Sequence, residues 1–268
     1  MNYNFDPTNF ERHWLRRSLE RFHRDGWIKD ILYRVKSGKE ATVYCCQAGP
    51  AAELDLVAAK VYHHRRKRAM QNRAAYQQGR DLLGAGGSVM RDQRQLRAIR
   101  KKSKYGQRLE TISWLEHEFQ AMRQLHAAGA DLPRPLIQGA TAFLMEYIGD
   151  ATQAAPLLQE IALTTGQAWK SYRRLLRNIE LFLAHDRVHG DLSAYNALYW
   201  EDRIYIIDFP QIVDAVENPD ALPLLTRDVV RLYQYFARCG VKGRPVQLAQ
   251  RLWQRYHRGE LSHSAEPS

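Results

Sequence analysis

Read as apolar and polar positions, the chain changes period several times. Over residues 8–25, Phe10, Trp14, Leu15, Leu19 and Phe22 recur at helical spacing, and Gly26 can end the run, so the pattern predicts a helix. Short apolar runs follow at 31–35, 41–46 and 54–61, separated by Ser37-Gly38 and Gly49-Pro50; these predict three antiparallel strands. From 65 to 108 apolar residues thin out and Gly84, Gly86, Gly87 and Ser88 cluster, which predicts a stretch that is flexible or helical only in part. A helix is expected over 111–128, with Trp114, Leu115, Phe119, Met122 and Leu125 on one face and Gly129 as its stop. Strands are expected near 136–138 and 142–147. A long amphipathic helix is expected over 165–186, with Trp169, Tyr172, Leu175, Leu176, Ile179 and Phe182 facing inward. Two short β runs at 197–200 and 204–207 bracket the polar turn Glu201-Asp202-Arg203, and 222–256 reads as helical.

This order predicts an α+β chain with a β-rich first part and a mostly helical second part, joined near Gly149. The expected division is a helical extension over 1–30, a first lobe over 31–148 with the basic insert 65–108, a second lobe over 149–258, and a frayed tail over 259–268. The length of 268 residues suits one large domain or two lobes, enough to build a core without staples. No apolar run reaches the roughly 18 residues of a membrane span. The opening MNYNFDPTNFERHW has no basic flank leading into an apolar core, so no signal peptide is expected. Three cysteines, with Cys45 and Cys46 adjacent, suit neither a disulfide framework nor a zinc site. A cytoplasmic setting without membrane contact is the expectation.

Charge changes the picture because it is concentrated. Between Lys60 and Arg108 there are 15 Lys and Arg against two Asp, while the whole chain carries +11. That segment therefore holds all of the excess, an electrostatic footprint for RNA or another polyanion, or else a loop kept solvated by its charge.

The densest chemistry lies in His189-Gly190-Asp191-Leu192-Ser193-Ala194-Tyr195-Asn196, followed by Asp208 in Ile-Ile-Asp-Phe. Phosphoryl transfer needs a group to orient the attacking hydroxyl or water and oxygen ligands for a divalent metal on the phosphates. Asp191 fits the first role; Asn196 and Asp208 offer the hard oxygens that suit Mg²⁺ or Mn²⁺. A lone Asp would be a turn former and a lone Asn a cap, but here the spacing, the strand–turn–strand context and the second Asp coincide. Lys60 stands in the apolar run Val57-Ala58-Ala59-Lys60-Val61-Tyr62, where an unpaired ammonium is costly. Glu118 on the next helix is the expected partner, with Glu116 the alternative; a strand Lys paired to a helix Glu is how kinases clamp phosphates. Ser37-Gly38-Lys39-Glu40-Ala41 could lay backbone N–H groups over phosphates, yet it matches neither GxGxxG nor the Walker pattern.

Together SGKEATVY (37–44), AAKVY (58–62), WLEHEF (114–119), MEYIGD (145–150), HGDLSAYN (189–196) and YIIDFPQ (205–211) resemble the RIO-type atypical serine/threonine kinases, in their single-kinase-domain branch. The resemblance runs from about 35 to 237. It implies a trimmed, bilobal protein-kinase-like fold using ATP and Mg²⁺. Lys60 would contact the α- and β-phosphates and Glu118 would hold it. Ser37, Gly38 and Lys39 would cover the phosphates, and Met145, Glu146, Tyr147 and Ile148 would form the adenine-binding hinge. Asp191 would be the catalytic Asp, Asn196 and Asp208 the metal ligands, and Asp228 the buried Asp that braces the catalytic loop. Ser88 and Ser103 would be candidates for autophosphorylation. Phe209-Pro210 departs from the family, which usually has a small residue and then Ser-Gln. Pro219 follows Asp208 by eleven residues with no APE, so the activation segment is shortened and peptide docking is disfavoured. The function implied is serine phosphorylation or ATP hydrolysis, in the family a switch on small-subunit ribosome maturation. Two other readings stand beside it: an aminoglycoside-type phosphotransferase, against which SGKEA and the basic residues after Leu222 argue, and a catalytically silent RNA-binding scaffold.

Overall fold

Alternation along the central strands explains how one sheet serves two purposes. The structure, a computed structural model, describes residues 1–63, 81–84 and 86–263. Two units emerge, the first formed by residues 1–63, 81–84, 86–120 and 134–154, the second by 121–133 and 155–263.

In the first unit, α1 (Asn9–Arg24) starts at Thr8, whose side chain accepts from the Glu11 N–H, and ends with Arg21, His23 and Arg24 at the negative end of its dipole. Five antiparallel strands follow: β1 (Ile28–Ser37), β2 (Ala41–Ala48), β3 (Leu56–Tyr62), β4 (Pro135–Gln138) and β5 (Ala142–Glu146), in spatial order β1-β2-β3-β5-β4. Trp14, Leu15, Leu19 and Phe22 of α1 pack on Ile31, Tyr44, Cys46, Val57, Ala59, Val61, Ala142 and Leu144, one face of the sheet. Because successive strand residues point to opposite faces, Ala58, Lys60 and Tyr62 must lie on the other. That face is covered too, which is why β3 reads as an almost continuous apolar run. Phe10 does not join the row expected for α1; it is 81% exposed.

The basic stretch is helical in part, as expected, and also holds a bridged turn that the pattern did not predict. Residues 64–80 and 85 lie outside the described residues. Leu83 bridges Val89 in a tight hairpin, which leads into α2 (Gln93–Arg100) and then α3 (Lys104–Ala127); α3 begins seven residues earlier than its apolar pattern suggests. The hairpin sits on α3: the Leu83 N–H donates to Ser113 Oγ at 2.9 Å, the Gly86 N–H to Glu116 Oε2 at 3.2 Å, and His117 Nε2 to the Asp81 carbonyl at 2.6 Å. Gly87 has φ +79°, a left-handed backbone conformation that favours glycine in this turn.

The second unit is built on α4 (Thr165–Ala184), α5 (Ala221–Arg238) and α6 (Pro245–His257), with the two-stranded pairs β7 (Ala197–Trp200) and β8 (Arg203–Ile206), and β6 (Arg187–Val188) and β9 (Val213–Asp214). A capping box between Thr164 and Gln167 starts α4. Tyr172, Leu175, Ile179 and Phe182 bury its inner face, but Trp169 stays 37% exposed instead of pointing inward. The helical C-terminal run divides at Gly240, φ +88°, before Pro245 starts α6. Among the described residues no helix is long and apolar enough to cross a membrane.

Candidate active site

Lys60 is fixed by strand register: it stands between Val43 of β2 and Phe143 of β5 and is only 8% exposed. Its Nζ donates to Glu118 Oε1 at 2.6 Å, and the rings of Tyr62 and Phe143 lie 5.8 and 6.0 Å from the ammonium. Tyr62 donates its hydroxyl to the other Glu118 oxygen. The carboxylate is thus held on both sides, which a buried charge requires. Glu116, also buried, turns elsewhere: Gln138 Nε2 and Gln120 Nε2 donate to it at 2.6 and 3.0 Å. Helix geometry separates the two glutamates by about 200° around α3, so only one can face Lys60.

Ser37, Gly38 and Lys39 form the exposed turn between β1 and β2, closed by the Gly38 N–H donating to the Ala41 carbonyl at 2.9 Å. Met145 and Glu146 end β5, opposite Ala58 and Val57. The Glu146 carboxylate accepts from the Arg134 N–H at 3.1 Å. Tyr147 and Ile148 are buried, and the Tyr147 hydroxyl pairs with that of Tyr33 at 2.5 Å. Burial also pushes the Cys45 thiol beside them up to about 11, against lowering by its bonds to Tyr33 and Tyr147. Such a thiol remains protonated at neutral pH and is a poor nucleophile.

In the second unit, the loop following β6 is held from below by α5. Asp228, 2% exposed, accepts from the Gly190 N–H at 2.8 Å and the Leu192 N–H at 3.0 Å. Arg227, one residue earlier, donates to the Gly190 carbonyl. Burial pushes the Asp228 carboxyl up to about 8, opposed by the Gly190 N–H, Arg227 and the Leu192 N–H. The His189 ring bridges the loop: Nδ1 accepts from the Asp191 N–H and Nε2 lies against the Ile207 carbonyl, both at 3.3 Å, which assigns its proton to Nε2. Asn196 Nδ2 donates to the Asp191 carbonyl at 2.8 Å and to Asp191 Oδ2 at 3.3 Å. The other carboxylate oxygen, Oδ1, accepts from Arg231 Nη1 at 2.6 Å.

Asp208 is exposed at the end of the β7–β8 hairpin, in the left-handed backbone region at φ +70°, where Asp is tolerated better than bulkier residues. Asn196 turns its amide N–H groups to Asp191, so Oδ1 is the atom it could offer a metal. That oxygen and the Asp208 carboxylate are hard donors of the kind that could hold Mg²⁺. Among the described residues no cluster of three His, Cys, Asp or Glu side chains could hold a metal unaided.

Comparison with known proteins accords with this geometry. The family model described as the RIO domain matches residues 42–249. The chain belongs to the RIO family. The RIO match includes Lys60, Glu118, Asp191, Asn196, Asp208 and Asp228 and begins after the Ser37–Lys39 turn. Serine/threonine-protein kinase rio1 of Schizosaccharomyces pombe is 35% identical over 127 residues, 47% of this chain, and the chain covers 25% of that relative's length. Among solved structures, the Rio2 kinase from Chaetomium thermophilum superposes with a TM-score of 0.58 at 19% identity, covering 88% of this chain and 66% of that one. A Rio2 kinase-ADP/Mg²⁺-phosphoaspartate complex from the same organism gives 0.52 at 17%, covering 98% and 68%. The RIO fold is thus kinase-like and α+β, with a five-stranded first lobe and a helical second lobe.

Against this RIO frame the unusual Phe209 has a structural explanation. It is fully buried, its ring 4.8 Å from His189 and 6.0 Å from Phe182, so it anchors the residue after Asp208 in the core of the second unit. The segment beyond is short: β9 is followed by a turn in which Asp214 Oδ1 accepts from the Val216 and Glu217 N–H groups, and α5 starts at Ala221. Two participants escape the sequence reading. Tyr62 stands two residues after Lys60, so strand periodicity puts both on one face; Arg231 stands three after Asp228, so helix periodicity does the same.

Proposed function

We propose that this RIO protein is an ATP- and Mg²⁺-dependent serine kinase or ATPase, moving the γ-phosphoryl group to serine, its own included, or to water. The observation that carries the reading is the loop around Asp191, braced at both flanking N–H groups by Asp228 and bonded to Asn196. A loop so tied fixes where an acceptor hydroxyl is oriented before the reaction begins. Names among its relatives and the ADP/Mg²⁺ complex of one Rio2 structure support the same chemistry.

Lys60, pointed by Glu118, would meet the α- and β-phosphates, with Ser37, Gly38 and Lys39 over them and backbone groups of Met145–Ile148 on adenine. Asp191 would orient the acceptor hydroxyl. Asn196 and Asp208 would hold Mg²⁺, which when bound neutralises phosphate charge. Of the two candidate acceptors, Ser88 is exposed on the hairpin, whereas the Ser103 hydroxyl is engaged with the Ala98 carbonyl and the Gly106 N–H at 3.1 and 3.0 Å. This favours Ser88.

Incubation with γ-labelled ATP and Mg²⁺ tests the reading, with label followed in protein and in free phosphate. Asp191→Ala and Asp208→Ala should abolish both signals; ATP bound without turnover in the wild type would refute it.

A polyanionic partner, RNA or a ribosomal subunit, belongs to the same proposal. Support comes from α2, which has no buried residue and exposes Arg94, Arg97 and Arg100, continuing into exposed Lys101, Lys102 and Lys104. Such binding should weaken steeply with salt, because displaced counterions drive it.

A further inference from the structure

The ion pair on Asp191 joins two partly exposed side chains. Arg231 lies on α5, forty residues from Asp191 in sequence; its side chain is 42% exposed, and that of Asp191 35%. A half-solvated pair contributes little to stability, because water screens both charges. The loop is already braced by Asp228 and Arg227 without it. Arg231 Nη1 makes the one hydrogen bond of this side chain among the described residues, so the other guanidinium N–H groups are not engaged by any of them. The next residue but one after Asp191 is Ser193, which is neutral and whose hydroxyl accepts from the Tyr195 N–H at 3.3 Å. Asp191 is paired with no other cation among the described residues.

Negative charge on the transferred phosphoryl oxygens must be met by donors fixed beforehand, and a guanidinium presents several in one plane. We propose that Arg231 is that group: a catalytic arginine supplied in cis, anchored through one N–H to Asp191 and offering the others to the phosphoryl group. In the step it serves, the bond from γ-phosphorus to the β–γ bridging oxygen breaks, its electron pair leaving with ADP. A bond from the acceptor oxygen to phosphorus forms, and the acceptor proton passes to Asp191 and then to solvent. Arg231 neither gives nor takes a proton. Anchoring by the same carboxylate that orients the acceptor keeps cation and acceptor in register. The inference rests on the kinase reading above.

The test compares wild type with Arg231→Ala and Arg231→Lys, using as probes Mg-ADP alone, Mg-ADP with aluminium fluoride as a mimic of the transferring group, and γ-labelled ATP. Arg231→Ala should bind Mg-ADP within about threefold of wild type but lose at least about tenfold in the affinity gained from aluminium fluoride. Its turnover should fall about 10²–10³-fold, the loss typical of one preorganised donor. Lysine should recover part of both, and millimolar guanidinium should raise turnover of the alanine variant but not of wild type. A variant that only misplaced Asp191 would keep the aluminium fluoride gain, and that result overturns the proposal. Faster turnover in Arg231→Ala overturns it as well, making the pair a restraint on Asp191. A wild type that binds no Mg-ADP and turns over no ATP sinks the kinase reading, and this inference with it.

Discussion

Replacing Lys60 with Met removes one charge of a buried pair while keeping the aliphatic volume. At 2.6 Å and an effective dielectric of about 20, the two charges attract by about 6 kcal/mol, while taking them from water costs several kcal/mol per ion. The pair as a whole is therefore near balance, but its parts are not. Glu118 has a side chain 1% exposed, and the substitution takes away the ammonium that faces it while the Tyr62 hydroxyl stays. Breaking a buried ion pair by removing one partner costs about 3–5 kcal/mol. At about 2–4 °C per kcal/mol, the melting temperature should fall by roughly 6–20 °C. Glu118→Leu should cost a similar amount, including about 1–3 kcal/mol for the Tyr62 hydroxyl left without its acceptor. In the double variant only that last cost persists, so the two losses should overlap by at least about 2 kcal/mol. Guanidinium denaturation of the four proteins, followed by tryptophan fluorescence, measures this cycle. Single variants within about 1 kcal/mol of wild type, or a double variant equal to their sum, would refute the reasoning.

Three further outcomes are expected. Asp228 has a carboxyl raised to about 8 in the fold, so it binds a proton between about pH 4 and 8 that the unfolded chain releases; its stabilising contribution is complete below about pH 4 and declines as pH rises to about 8. The stability of wild type relative to Asp228→Asn should thus fall across that window by up to ~1.4 kcal/mol per pH unit in denaturant titrations, and a flat difference would show the carboxylate ionised in the fold. Phe209→Ala removes a fully buried ring from beside His189 and Phe182 and should cost about 3–5 kcal/mol by the same denaturation, whereas Phe209→Leu should cost much less. Phosphopeptide mapping after autophosphorylation should find label on Ser88 and not on Ser103, since the Ser103 hydroxyl is tied into the start of α3; label confined to Ser103 would reverse that assignment.

The sequence by itself determined what depends on neighbours along the chain. Period-two and helical runs located β2, β7, α1 and α4 to within two residues, because burial on one face imposes those periods directly. The spacing from Asp191 to Asn196 and on to Asp208, with a hairpin between, is likewise local, so the candidate site's central loop was legible before any fold was known. Tertiary structure decided partner and exposure. Glu116 and Glu118 are chemically alike and two residues apart; the rotation of α3 against the sheet gives one to Lys60 and the other to Gln138 and Gln120. Phe10 and Trp169 belong to apolar runs yet stay exposed, because a helical pattern does not say where the covering elements end. The hairpin over 81–90 looked like loose glycine-rich chain, and its contacts with Ser113, Glu116 and His117 exist only once α3 is beside it. Arg231 was one of three arginines on α5 until packing brought it to Asp191, since a pairing between residues forty apart is set by how the loop and helix lie together and leaves no periodic trace in either.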